Sequence, residues 1–238
     1  MSKVFSGHQP NFLPYMGFFY KMFKSDVFVY DDDVQYTNNE YKGENGIRVG
    51  HNCNVIRIGN DKGRLQVPVS YKFGQKINEV KIAYVEKWDS KMLKTLKFNY
   101  SNYPYFKEGY QMMEEALSKH FSTLYELNRY LLDYIVQKFG IKTEIKTASI
   151  DCPTELMKNE RNVYQCKKFG ADVYFSGTGG CRVYNDEALF EKNGIKIVYS
   201  DYEPPVYRQH HKKSFIENLS VIDYIMNEGF NLPKEWEK

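Results

Sequence analysis

The sequence predicts an α/β fold: a parallel-sheet core of nucleotide-binding type, carrying a loop-rich β excursion and a helical insertion. Three observations point there. The chain opens with an apolar run, a helix-spaced aromatic stretch and a second apolar run, the pattern of a βαβ unit. A glycine- and asparagine-rich stretch follows, then a long segment with helical periodicity. From about residue 141 onward, helical and strand patterns alternate again.

Taken in order, residues 3–7 form a short buried strand. Residues 14–25 form a helix, with Pro14 in its first turn and Tyr15, Phe18, Phe19, Met22 and Phe23 on one face. Residues 26–30 give the second strand. Over 36–80 the short apolar runs 54–58 and 65–69 read as antiparallel strands between turns. Helical spacing then places Met112, Met113, Ala116, Leu117 and Phe121 together, followed by Leu124, Leu127, Leu131, Leu132 and Ile135 before a stop at Gly140. A helix over 160–169 ends at Gly170. A strand over 172–175 runs into Ser176-Gly177-Thr178-Gly179-Gly180. A short helix (185–193), a strand (195–199) and a last helix (220–227) complete the chain. The expected organisation is a single domain, with the α/β core at about 1–36 and 141–230 and an insertion at about 37–140.

Composition narrows the function classes. The formal charge is +3 over 238 residues, and the one basic run is His210-His211-Lys212-Lys213, so a polyanion-binding field is not expected. No apolar run approaches the roughly 18 residues of a membrane span, and the N-terminus lacks an apolar core of signal-peptide type. Cys53, Cys152, Cys166 and Cys181 form no Cys-x-x-Cys pair, which argues for reduced thiols rather than zinc. A cytoplasmic protein without a bound metal is the expectation.

Five stretches carry candidate chemistry. Gly7-His8-Gln9-Pro10-Asn11 lies between a strand end and a helix start, where backbone N–H groups and the positive dipole end suit a phosphate or carboxylate. Its bland alternative is a tight turn with Asn11 as cap and His8 as a buried hydrogen-bond partner. Asp31-Asp32-Asp33 closes the neighbouring strand. Clustered carboxylates there can bind a hard cation, act as a base or hold an ammonium, or they can be a solvated turn. The glycines of Ser176-Gly177-Thr178-Gly179-Gly180 let a backbone cradle an anion, or simply turn the chain; no Gly-Lys-Ser/Thr follows, so this is not a Walker loop. Cys181 and Arg182 stand beside it, but a cysteine nucleophile lacks an identifiable histidine partner. Glu160 and Arg161 precede a strand-bound helix as a capping carboxylate and a surface cation. Tyr207-Arg208-Gln209-His210-His211 offers cations and aromatic faces; adjacent histidines diverge on any regular element and make a poor zinc pair.

HQPNFLPYMGFFYKM, SDVFVYDDDVQY, LQVPV, ERNVYQCKKFGADVYFSGTGG, Tyr207-x-Gln209 and ENLSVIDYIMNEG, in that order across nearly the whole chain, resemble the WbqC-like protein family. Family members usually carry a basic, asparagine-rich run after the acidic strand end. Here that stretch reads YKGENGIRVGHNCNVIRIGN, with Lys42, Asn45 and Arg48 aligning to it. The resemblance implies a bacterial cytoplasmic protein of O-antigen or other surface-glycan synthesis, one suspected of transferring glycine or a related acyl group to an amino sugar. It places Gln35 and Tyr36, from the second quoted segment, among the candidate binding residues.

The opening is also similar in layout to HIGH-type nucleotidyltransferases, with His8 in the loop and Gly17-x-x-x-Lys21 on the helix. The second histidine of that pattern is absent, since the chain reads Tyr15-Met16-Gly17. On this layout ATP, with Mg2+, is a candidate substrate rather than a tightly bound cofactor, and His8, Lys21 and the glycine loop would stabilise the α-phosphate.

The expected catalytic set is therefore His8 with Asp31, Asp32 and Asp33. The expected binding set is Gln9, Asn11, Lys21, Gln35, Tyr36, Glu160, Arg161, Ser176, Gly177, Thr178, Gly179, Gly180, Tyr207 and Gln209. The expected partners are a nucleotide-linked amino sugar and an acyl or aminoacyl donor, aminoacyl-tRNA among them. A glycosyltransferase using a metal-bound nucleotide sugar and a non-catalytic carbohydrate-binding protein are the alternatives.

Overall fold

The computed structural model describes residues 2–37, 41–42, 48–177, 181–209 and 214–237. They fall into two compact units. The first comprises Met1–Gln9, Gly17–Asp33 and Ile141–Glu203, and the second comprises Pro10–Met16, Val34–Gly140 and Pro204–Lys238.

The first unit is built on five parallel strands, β1 (Val4–His8), β2 (Val27–Tyr30), β3 (Glu144–Thr147), β4 (Val173–Ser176) and β5 (Lys196–Tyr199), in the spatial order β5-β4-β1-β2-β3. The chain steps from β1 to β2 to β3 on one side, then returns to lay β4 and β5 on the other side of β1. That is the order of a Rossmann-like sheet, with its topological switch between β1 and β4. The parallel α/β core is as the sequence predicts.

A parallel sheet is covered on both faces, so its inner strands are apolar throughout rather than alternating. All four residues of β2 are fully buried. Val27 and Val29 join Phe5, Val163, Cys166, Tyr174 and Phe190 in one core. Phe28 points the other way, with its ring edge-on to Phe18 of helix Met16–Phe23. Burying a side chain of this size contributes about 1.5–3 kcal/mol, so β2 is a main anchor of the unit.

The second unit contains the antiparallel hairpin Cys53–Ile58/Asp61–Gln66 and helices Trp88–Tyr100, Phe106–Ser118, Leu124–Phe139 and Val221–Glu228. Helix Leu124–Phe139 begins with a reciprocal capping box between Thr123 and Glu126 and ends at Gly140, whose φ of 69° suits a residue without a Cβ. Gly109 lets helix Phe106–Ser118 approach helix Val221–Glu228, for a Cβ there would stand 2.8 Å from the Met226 sulfur.

Several boundaries differ from the sequence expectation. The first helix starts at Met16, not at Pro14. The 65–69 run is divided between strands Asp61–Gln66 and Val69–Ser70. β3 and the short helix Ala148–Asp151 had no sequence signal strong enough to be read. The last helix, expected in the α/β core, groups with the second unit together with all of 204–238.

The segment Pro10–Met16 also belongs to the second unit, and its backbone shows why. The Pro10 carbonyl accepts from Asn128, and the Phe12 N–H donates to the His51 carbonyl. The Leu13 carbonyl accepts from both Asn54 and Ser220, and the Pro14 carbonyl accepts from the Val221 N–H. Leu13 takes a left-handed φ of 41° within this net. Most of the HQPNFLP stretch is therefore a tethered connector, leaving Gly7, His8 and Gln9 at the sheet.

Candidate functional site at the carboxyl edge of the parallel sheet

Because all five strands run the same way, the residues that follow them share one edge of the sheet. His8 ends β1 opposite Tyr30 of β2, and the Asp31 N–H extends the ladder by donating to the His8 carbonyl at 3.0 Å. Gly177 follows β4, across the switch from β1. In open α/β sheets this is where ligands bind.

The three aspartates have three different environments. Asp32 is 1% exposed, and its two oxygens accept from the Ser149 N–H (2.9 Å) and hydroxyl (2.6 Å), tying β2 to the start of helix Ala148–Asp151. Asp33 accepts from Arg161 Nη2. Asp31 Oδ1 accepts from Arg161 Nε at 3.1 Å and from Gln165 Nε2 at 2.8 Å. Arg161 and Gln165 lie one helical turn apart on helix Lys158–Lys168, so one face of that helix holds the acidic strand end. Arg161 is a buried ion bridge, not a surface cation, while Glu160 beside it is exposed.

Asp31 Oδ2 takes no hydrogen bond among the described residues. It sits 3.1 Å from the position a Cβ would occupy on Gly7, so the glycine gives the carboxylate its room. Burial pushes the Asp31 carboxyl above its ordinary value, against the pull of Gln165 and Arg161. Burial works against the Arg161 charge, but Asp31 and Asp33 outweigh it and raise its pKa. The result is a carboxylate fixed by one oxygen and presented by the other.

On the other side of Gly7, the Lys21 ammonium is buried and donates to the Gly7 carbonyl at 2.7 Å. The half-buried His8 ring stands edge-on to Phe18, and Nδ1 lies 2.9 Å from the Gln9 carbonyl. A carbonyl only accepts, so the proton is on Nδ1 and Nε2 is the acceptor of the neutral ring. Ser176 is fully buried; its hydroxyl accepts from Asn185 and its carbonyl accepts from the Ser200 N–H, which fixes the end of β4. Arg182 lies over the Tyr199 ring at 5.1 Å, putting a cation by the end of β5.

Five predicted residues fall in the second unit. Asn11 is well ahead of the helix start and does not cap it; its Oδ1 is buried without a partner among the described residues. Gln35 bridges to Lys76, and Tyr36 is buried against Tyr71 and His51. Tyr207 donates to Asp223 at 2.8 Å, and Gln209 accepts from Arg57 at 2.7 Å while bonding both polar backbone groups of Ile216. Thr178, Gly179, Gly180, Asn45 and the run His210-His211-Lys212-Lys213 lie outside the described residues, as do the side chains of Lys42, Arg48 and Cys181.

Sequence reasoning missed Gln165, Ser149 and Asn185. The spacing of Arg161 and Gln165 was the available signal, two polar groups four apart on one helix face. Burial pushes the Cys152 thiol up to about 11 and the Cys166 thiol up to about 12, so neither is a poised nucleophile. Among the described residues, no group of three His, Cys, Asp or Glu side chains is placed to hold a metal ion, and no helix is long and apolar enough to cross a membrane.

A model of the WbqC-like protein family matches residues 9–235. The chain is 30% identical over 228 residues to the uncharacterized protein Rv1507c of Mycobacterium tuberculosis (strain ATCC 25618 / H37Rv), covering 94% of each chain. No solved structure matches.

Proposed function

The chain belongs to the WbqC-like protein family, and on that premise we propose that it transfers glycine or another acyl or aminoacyl group to the amine of a nucleotide-linked amino sugar in bacterial surface-glycan synthesis. One observation carries the reading: Asp31 is clamped through Oδ1 while Oδ2 stands over Gly7, at the end of β1 and next to the β1–β4 switch. A carboxylate so held suits an amine that arrives as an ammonium and must lose protons to react.

In the reaction, the acceptor nitrogen attacks the carbonyl carbon of an activated acyl donor. The C–N bond forms, and the bond from that carbon to the donor's oxygen or sulfur breaks, the electron pair leaving with the heteroatom. Asp31 Oδ2 takes the proton released by the amine. The Gly7–Gln9 turn and Gly177 supply backbone groups on the nucleotide side, with Lys21 and Arg182 as the nearby cations and His8 Nε2 as an acceptor for a substrate hydroxyl. ATP with Mg2+, an aminoacyl-tRNA or a thioester are donor chemistries compatible with this step.

The glycosyltransferase alternative needs carboxylates open to a divalent cation. Asp32 is spent on Ser149, and Asp31 and Asp33 share Arg161, which counts against it. The test is mass spectrometry of purified protein incubated with nucleotide-linked amino sugars and three donor sets: ATP plus glycine, glycyl-tRNA, and a glycyl thioester. One donor set should add a single acyl group to free-amine sugars and none to their N-acetyl counterparts. Sugar transfer without acylation would overturn the reading.

A further inference from the structure

Gln165 is fully buried on helix Lys158–Lys168, and its amide Nε2 donates to Asp31 Oδ1 at 2.8 Å. A carboxylate oxygen only accepts, so the nitrogen end of the amide faces Asp31. The other end is not served: Gln165 Oε1 is buried without a hydrogen bond among the described residues. An orphaned amide oxygen is costly, and a hydrocarbon chain of the same length would avoid that cost. The same helix gives Val163 and Cys166 to the apolar core of the first unit, where such a chain would be at home. What the amide supplies here is its N–H.

The two donors on Asp31 Oδ1 differ in kind. Arg161 is shared, with Nε on Asp31 and Nη2 on Asp33, so its removal disturbs two carboxylates at once. Gln165 bonds Asp31 and no other carboxylate among the described residues. It is neutral, so it directs Asp31 without adding a charge to the sheet edge. Burial is the dominant influence on Asp31 and favours its neutral form; Gln165 and Arg161 favour the anion, and Asp33 opposes it. The Cys152 thiol, pushed up by burial and by the Asp31 charge, is a neutral neighbour. Asp32 is turned to Ser149, and Lys21 to the Gly7 carbonyl.

We propose that Gln165 is a positioning residue of the acyl-transfer site: its amide N–H pins Asp31 by Oδ1, so that Oδ2 is the oxygen turned to the acceptor amine. The inference rests on the acyl-transfer reading for what Asp31 does, and on geometry for how Asp31 is held. An N–H donated to a carboxylate favours the anion. Loss of that bond therefore raises the pH needed to ionise Asp31, and the acid limb of the activity profile moves up with it.

The test uses Gln165→Met, which keeps the length and loses the N–H, and Gln165→Glu, which sets a second carboxyl against Oδ1. The first readout follows the Asp31 carboxyl carbon by 13C NMR across pH in the whole protein, assigned by its loss in Asp31→Asn, and needs no turnover. The second is the pH profile of kcat and KM with the donor set that supports transfer. Both variants should move the Asp31 titration to higher pH, Gln165→Glu further, because neighbouring carboxyls resist ionising together. kcat near neutral pH should fall roughly tenfold or more, as expected for a lost hydrogen bond to a charged group. KM should change little, and raising the pH should restore much of the loss. Should Gln165→Met fail to fold, the isosteric Gln165→Glu carries both readouts. An Asp31 titration unmoved in the variants would overturn the proposal, as would a kcat loss of equal size at every pH. A titration that moves in a protein that transfers no acyl group would support the hold of Gln165 on Asp31 and overturn the acyl-transfer reading instead.

Discussion

Arg161 in the first unit and Arg57 in the second are both almost fully buried, and their charges are met in opposite ways. Arg161 lies between Asp31 and Asp33, with charge against charge at a sheet edge. The Arg57 guanidinium touches an amide oxygen and a backbone carbonyl, while Asp223, on which its charge acts, accepts from two tyrosine hydroxyls. The first arrangement leaves one specific oxygen, Asp31 Oδ2, over Gly7. The second leaves Nε and Nη1 of the cation without a hydrogen bond among the described residues. The two arginines thus differ in which partner keeps an atom without a hydrogen bond, the carboxylate in one case and the guanidinium in the other.

The largest effect should come from Arg161→Met. It strands two adjacent buried carboxylates, which should cost about 3–5 kcal/mol in denaturant unfolding, and the combination with Asp31→Asn and Asp33→Asn should recover much of that loss. Stability unchanged by Arg161→Met would show that the pair is already solvent-screened.

Next comes acid sensitivity from the second unit. His51 is buried, and desolvation lowers its pKa from 6.5 to about 4 in the fold. A depressed folded value means that its contribution is complete above about pH 6.5 and is lost as pH falls towards 4. That contribution is about 3 kcal/mol. His51→Gln should flatten the stability profile over this window, and an unaltered slope would assign the acid loss to other groups.

The smallest effect should be that of Arg57→Met, within about 1 kcal/mol of the parent. With this cation gone Asp223 keeps its hydrogen bonds from Tyr100, Tyr207 and Asn227, and Gln209 Oε1 retains its bond from the Ile216 N–H. A loss as large as that of Arg161→Met would erase the distinction between the two arginines.

The sheet was legible because apolar runs and helix-spaced aromatics are local signals. Residues 3–7, 26–30, 172–175 and 195–199 all read as strands, and β1, β2, β4 and β5 lie on them. β3 was not, since its four residues, Glu144–Thr147, mix charge with apolar groups at a sheet edge. The acidic strand end and the His8 turn were visible as polar interruptions between apolar elements. What sequence alone lacked was pairing over long separations: Asp32 meets Ser149, and Asp31 meets Arg161 and Gln165, well over a hundred positions away. The same limit hid the ties that draw Pro10–Met16 to Asn54, Asn128 and Ser220, and so made that turn look more exposed to ligand than it is.

The most direct measurement compares Asp31→Asn with Asp32→Asn, reading acyl transfer per folded molecule across pH and nucleotide affinity in parallel. Asp31→Asn keeps the bulk but removes the base. Transfer should fall by a factor on the order of 10² or more, with the loss of activity on the acid side of the pH profile abolished and nucleotide affinity unchanged. Asp32→Asn should lower stability while leaving transfer per folded molecule near the parent value, because both its oxygens serve Ser149. Transfer retained in Asp31→Asn, or nucleotide affinity lost along with transfer, would contradict the assignment of Asp31 to the acceptor amine.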